Sequence, residues 1–142
     1  MGDTADTIAA AQRHDEAFNA HDPEARIATL TPDTELVLPG GMALSGPEQA
    51  VGILQAFWEA MPDATVTVTN QVAAGDTIAL ESTLAGTHTG TFRTPGGEIP
   101  PSGNRVEIHA VAVKRVRDGK VASEHLYYDQ LDFLQQLGAM PR

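Results

Sequence analysis

Glu124, His125 and Asp129 crowd one short stretch, SEHLYYDQLDFLQQLG, at residues 123–138. It begins with the alternation of a strand and ends with helical spacing. Carboxylates at such a changeover have two uses. One is proton transfer next to a carbonyl, which needs a base in a largely apolar pocket and a donor for the developing oxyanion. The other is structural, as a strand-end charge or a helix cap. Alternation puts Glu124, Leu126 and Tyr128 on one face of the strand and His125, Tyr127 and Asp129 on the other. Glu124 reads either as an acid/base group or as a rim charge paired with an arginine. Asp129 precedes the helix where an N-cap belongs, and Asp132 suits the first turn, so Asp129 is at once a cap and a catalytic candidate.

Two candidates lie elsewhere. Asp15 interrupts the apolar stripe of Ile8, Ala11 and Phe18, where a charge is costly unless it is paired or faces a cavity. His88 shares a strand face with Ile78, Leu80 and Leu84, and could donate to a substrate oxygen or bond the backbone. His21, in NAHD, reads as fixing a turn. No two histidines stand at ligand spacing on a helix, and there is no nucleophile elbow, P-loop or dinucleotide fingerprint. No metal and no cofactor are therefore expected.

The elements that must position these groups follow from periodicity. Residues 4–20 read as a helix. A second helix begins at HDPEARIATL, capped by Asp22 with Pro23 in its first turn, and Pro32 ends it. TELVL is a short strand. SGPEQAVGILQAFWEAM is a third helix with Ser45 near its start. Its wide apolar face is built from Val51, Ile53, Leu54, Phe57, Trp58 and Met61. The period then changes to two: ATVTVTNQVAA, IALESTLAGTHTG, RVEIHAVAVKRVR and KVASEHLYYD are strands. AGDT marks one turn and DG a hairpin. TFRTPGGEIPPSGN reads as a loop and a possible lid, and residues 130–138 as a short helix ending at Gly138. Three helices with one early strand, a four-strand antiparallel meander and a last helix make an α+β chain. A curved sheet around helices can hold an apolar pocket.

Length and charge bound the rest. The chain has 142 residues, enough for one domain, 1–142, with a real core. Its formal charge of −10, with scattered Lys and Arg, argues against nucleic acid or an anionic membrane as partner. It contains no cysteine. No signal peptide or membrane span is visible, so a cytoplasmic protein is expected.

Several motifs, in their order, resemble the SnoaL-like proteins of the nuclear transport factor two-like superfamily, the group that includes polyketide cyclases. They are AFNAHDPEA, MPDATVTV, GTHTG, IPPSGNRV, DGKV and QQLG. The resemblance covers nearly the whole chain. It implies a cone-shaped curved antiparallel sheet wrapped around three N-terminal helices, a short C-terminal helix and a pocket at the open end. It also implies a homodimer, formed through the outer face of the sheet, and cofactor-free acid/base chemistry. Counted from DGK, the Asp and His of the cyclases fall on Leu126 and Ala112, neither of which can move a proton. That argues against the aromatic-polyketide cyclase mechanism. The alignment turns Leu126 inward and His109 outward, so Glu124 and Tyr128 face the pocket.

Glu124, Asp15, Asp129 and His88 are then the catalytic candidates. Trp58, Tyr128, Leu126, Ala112, Leu38 and Met61 are the substrate-binding candidates. The expected function is isomerase, cyclase, lyase or hydratase chemistry on an apolar, activated small molecule, with Glu124 or Asp15 as base and His88 or Tyr128 as donor. The rival expectations are a non-catalytic binding module and a structural dimerisation domain. A fold of this kind hosts many functions and does not by itself choose among them.

Overall fold

The computed structural model describes residues 3–140. Met1, Gly2, Pro141 and Arg142, which the expected domain 1–142 includes, lie outside the described residues. The first helix, α1, runs Thr4–Asn19 and is capped by Asp3, whose side chain accepts from the Asp6 N–H at 2.8 Å. Helix α2, Pro23–Ala28, is capped by Asp22 through the Ala25 N–H. His21 makes the turn between them with a positive φ of 53°, and its Nε2 meets the Ala64 carbonyl at 2.7 Å.

Strand β1, Leu30–Leu38, starts earlier than TELVL suggests. Pro32 does not end a helix; it sits inside β1 where the register slips between Leu30 and Glu35. A proline costs no ladder bond at such an irregularity. The chain turns at Pro39 through Gly41 into β2, Met42–Ser45, a short edge strand with no sequence signal of its own. Ser45 therefore closes a strand. Helix α3, Pro47–Ala60, begins at Gly46 without a side-chain cap.

Strands β3, Thr65–Ala74, and β4, Thr77–Thr87, follow. Residues 91–103, read as a loop, contain a small hairpin of β5, Phe92–Thr94, and β6, Gly97–Ile99. Phe92 anchors it in the core against Phe57 and Phe133. An alternating pattern is too short to see in two three-residue strands. Strands β7, Arg105–Arg117, and β8, Lys120–Tyr128, meet at Asp118–Gly119, both with positive φ, as a tight hairpin turn requires. Helix α4, Gln130–Gln136, closes the fold, and Gly138 ends its last turn at φ 78°.

Six strands form one curved sheet in the order β2-β1-β8-β7-β4-β3. The sheet is mixed: β8 runs parallel to β1 and antiparallel to β7. The pairing β1–β8 joins the two ends of the chain, so it lies beyond any local signal. The helices pack on the concave face. Phe18, Phe57, Trp58, Met61, Ile108, Phe133 and Leu137 make the main core there. Leu30, Leu36, Val51 and Val121 make a second cluster under α2 and α3. Gly90 lets β4's continuation touch α3: its N–H bonds the Ala60 carbonyl at 3.0 Å, and a Cβ there would run into the Glu59 carbonyl. No helix among the described residues is long and apolar enough to cross a membrane.

Candidate functional site

The concave face leaves a pocket of about 780 Å³, counted with its open mouth. The helical side is Phe18, Ile53, Leu54 and Phe57. The sheet side is set by register. One row across β4, β7 and β8 is Ser82–Ala110–Tyr128, the next is Leu80–Ala112–Leu126, and the third is Ile78–Lys114–Glu124, with Leu36 of β1 beyond it. Rows lie two residues apart, about 7 Å. Leu38 completes the wall on β1.

The apolar wall ends in charge. Lys114 is 1% exposed, and its Nζ donates to Asp15 Oδ1 at 2.7 Å. Arg26, also buried, donates to the His14 carbonyl at 2.6 Å and lies 3.5 Å from Glu124 Oε1. His14 Nε2 is 3.9 Å from the same oxygen. The side chains of Asp15 and Glu124 keep 19% and 13% exposure. Two carboxylates and two cations thus share the inner end of an otherwise greasy cavity. Charges in such a place persist only as pairs. A smaller cavity of about 250 Å³ adjoins it behind Arg26 and Glu124, bordered by His14, Thr34 and Glu35.

Burial, reinforced by the charges of Arg26 and Lys114, pushes the His14 imidazole well below the ordinary 6.5. His14 is neutral at neutral pH. Burial raises the Tyr128 phenol above 10.0, so it remains a donor. Burial lowers Arg26 from its usual value, with Glu124 and Asp15 opposing the shift.

Among the sequence candidates, Asp15, Glu124, Tyr128, Leu126, Ala112 and Leu38 line the pocket. Four others lie away from its wall. Asp129 is exposed and caps α4, accepting from the Asp132 N–H at 3.0 Å. His88 is fully buried at the base of the 99–104 segment, its Nδ1 2.9 Å from Ser102 Oγ. Trp58 follows Phe57 by one helical step and so turns about 100° away, stacking on His21 and leaning on Phe18. Met61, at the end of α3, is sealed under Gly86 and Ala64. His109 points outward beside Thr83.

Lys114, Arg26, His14 and Ser82 were not singled out from the sequence. Lys114 is two residues beyond Ala112, so the alternation that turns Ala112 inward turns Lys114 inward too. Ala11, His14 and Phe18 have helical spacing, which could have found His14. Arg26 lies on a six-residue helix, too short for any periodic signal.

The two buried histidines make a prediction about pH. Burial also lowers His88, with backbone groups of Leu137 and Gly90 partly opposing it. Below pH 6.5 the unfolded chain gains protons that the folded chain refuses, so stability is full above that pH and falls below it. The expected slope is up to about 1.4 kcal/mol per pH unit for each histidine. Urea unfolding at several pH values across this window checks it. The slope should shrink in His14→Gln; an unchanged slope would show that His14 is not the source.

Residues 8–137 match the SnoaL-like polyketide cyclase family. A SnoaL-like polyketide cyclase candidate from Jannaschia sp. CCS1 is 25% identical, with a TM-score of 0.84 over 97% of this chain and 95% of that one. IdmH of Streptomyces antibioticus, a candidate polyketide cyclase, is 31% identical, with a TM-score of 0.76 over 95% of this chain and 98% of its own. A Catenulispora acidiphila protein of ketosteroid isomerase-like fold, bound to trimethylamine, shares the fold at 21% identity and a TM-score of 0.76 over 92% of this chain and 93% of that one. No curated protein matches the chain in sequence. With the match running from α1 to the end of α4 and the curved sheet between them superposing on these structures, the chain belongs to the SnoaL-like polyketide cyclase family.

Proposed function

We propose that the protein is a small-molecule enzyme that moves protons without a cofactor, with Glu124 as the base. The observation that carries this reading is the charged inner end of the apolar pocket. Asp15 is tied to Lys114 by a 2.7 Å bond, whereas Glu124 meets Arg26 at 3.5 Å and His14 at 3.9 Å, so its carboxylate is the less tightly held of the two. Glu124 would take a proton from the carbon next to a carbonyl, the opening step of isomerisation, cyclisation or elimination. Tyr128 lies four residues along the same strand, about 13 Å away, so it holds the outer part of the ligand and not the reacting group.

The test is exchange of α-protons for deuterium in simple ketones, followed by NMR, with and without protein. Protein-accelerated exchange supports the enzyme. Tight binding without acceleration supports the rival, a non-catalytic binding module, which is favoured by Leu126 and Ala112 standing where the cyclase pair is expected.

The same reading includes a homodimer formed through the outer face of the sheet. Val111 and Tyr127 pair across β7 and β8 there, and Tyr127 is 56% and Val72 67% exposed. Exposed apolar groups of this size on a sheet face favour a covered surface. Sedimentation should give a dimer that dissociates in Val111→Lys/Tyr127→Lys; a wild-type monomer would remove the proposal.

A further inference from the structure

Nothing so far says how a ligand lies in the pocket or how wide its reactive end is. The three rows on the sheet side give that information. The central strand of the three, β7, contributes Ala110 and then Ala112, flanked by Ser82 and Tyr128 and then by Leu80 and Leu126. Ala110 and Ala112 are small beside Tyr128, Leu80 and Leu126, and with the equally small Ser82 they leave a trough along β7 that Ile108 bounds at the end away from Lys114. Phe18, Ile53, Leu54 and Phe57 roof it from the helices. The trough ends at Lys114, whose neighbour across the strands is Glu124. The polar groups that could receive a ligand's head therefore stand one row, about 7 Å, beyond the aliphatic row of Leu80, Ala112 and Leu126, which faces the helical wall.

Charge narrows the chemistry of that head. Lys114 and Arg26 balance Asp15 and Glu124 one for one. A ligand carboxylate would add a negative charge that no cation of the cluster is left to match. A neutral carbonyl would not. When its α C–H bond breaks, the proton passes to the Glu124 carboxylate. The electron pair moves onto the carbonyl oxygen, so the total charge of the site is unchanged. The new negative charge then lies against Lys114 and Arg26, in a medium where such contacts are strong.

We propose that the ligand is a slim, neutral carbonyl compound that enters carbonyl first, lays an unbranched apolar body along the Ala110–Ala112 trough and presents its oxygen to Lys114 Nζ. Lys114 is then the oxyanion donor, held in place by Asp15, and the gap between the Leu80–Ala112–Leu126 row and the helical wall is the specificity-determining constriction. A reacting carbon in the middle of a fused polycycle should reach Lys114 less readily than one near the end of a single chain. This deepens, and rests on, the reading of the pocket as a carbonyl-binding acid/base site.

The test uses methyl octyl ketone labelled at its carbonyl carbon, with a rigid fused tetracyclic ketone as the comparison, both followed by NMR titration. Wild type should bind the linear ketone and move its carbonyl resonance downfield, as a cationic hydrogen bond does, and bind the tetracycle roughly tenfold or more weaker. Ala112→Leu should weaken the linear ketone by a similar factor by filling the trough. Asp15→Asn/Lys114→Met, which removes the ion pair without leaving a lone charge, should bind the ketone but lose the downfield shift. The proposal is overturned if the shift survives in that double variant, if Ala112→Leu binds as wild type does, or if the tetracycle binds as tightly as the linear ketone. Failure of every ketone to bind would overturn both this proposal and the acid/base reading. Binding as described without α-proton exchange would overturn the acid/base reading alone.

Discussion

Lys114→Met is expected to destabilise the fold by about 3 kcal/mol, a fall in Tm on the order of 10 °C. The ammonium is 1% exposed and makes a 2.7 Å bond to Asp15. Methionine fills much the same volume, so little packing is lost. What is lost is the partner of a carboxylate that faces an apolar cavity. Breaking a buried pair costs more than the pair contributes, because one charge is left without compensation. The Asp15 side chain keeps 19% exposure, and water in the open pocket should hold the cost near the lower end of what buried pairs show. Adding Asp15→Asn should therefore restore most of the stability. Urea unfolding of the wild type, both single variants and the double variant closes the cycle. A single variant as stable as wild type would mean that Asp15 is solvated, and that the charged inner end is not the constrained site described above.

Glu124→Gln should lower kcat/KM for proton abstraction by roughly 10²- to 10⁴-fold, the range for loss of a positioned general base. The amide keeps the shape of the side chain and can still meet Arg26. Binding of the ketone should thus change little, and the loss should fall on kcat. Arg26 is left without its carboxylate partner, but it retains the His14 carbonyl at 2.6 Å. The variant should fold. Initial rates of α-proton exchange at saturating and subsaturating ketone separate the two effects. A Glu124→Gln protein with wild-type exchange would move the base to Asp15. The corresponding Asp15→Asn variant would then show the kcat loss.

Much of this could be read along the chain. Helix starts at Asp22 and Pro47 are chemical signals confined to one turn, and the DG hairpin needs only its two residues. Alternation in β8 separated Glu124, Leu126 and Tyr128 from His125 and Tyr127, and the structure keeps those faces. Where signals were short or non-local the reading failed. The β5–β6 hairpin is too brief to show a period. The β1–β8 pairing brings residues 30–38 against 120–128, and nothing near either segment announces the other. Asp129 reads as both cap and catalyst because the cap chemistry is local, while distance from the pocket is not.

The sequence by itself determined most of the element types, the division of the last strand into two faces and the absence of a proton-moving group at 112 and 126. These depend on periods of two and 3.6 and on residue identity. Only the tertiary structure decided that Lys114 meets Asp15 across 99 residues, and that Arg26 meets Glu124 across 98. It also decided that the charged cluster closes the row next to Ala112 and Leu126. A pattern along the chain says which way a side chain points. What it points at depends on how the sheet curls around the helices, and that is fixed by packing between segments far apart in sequence.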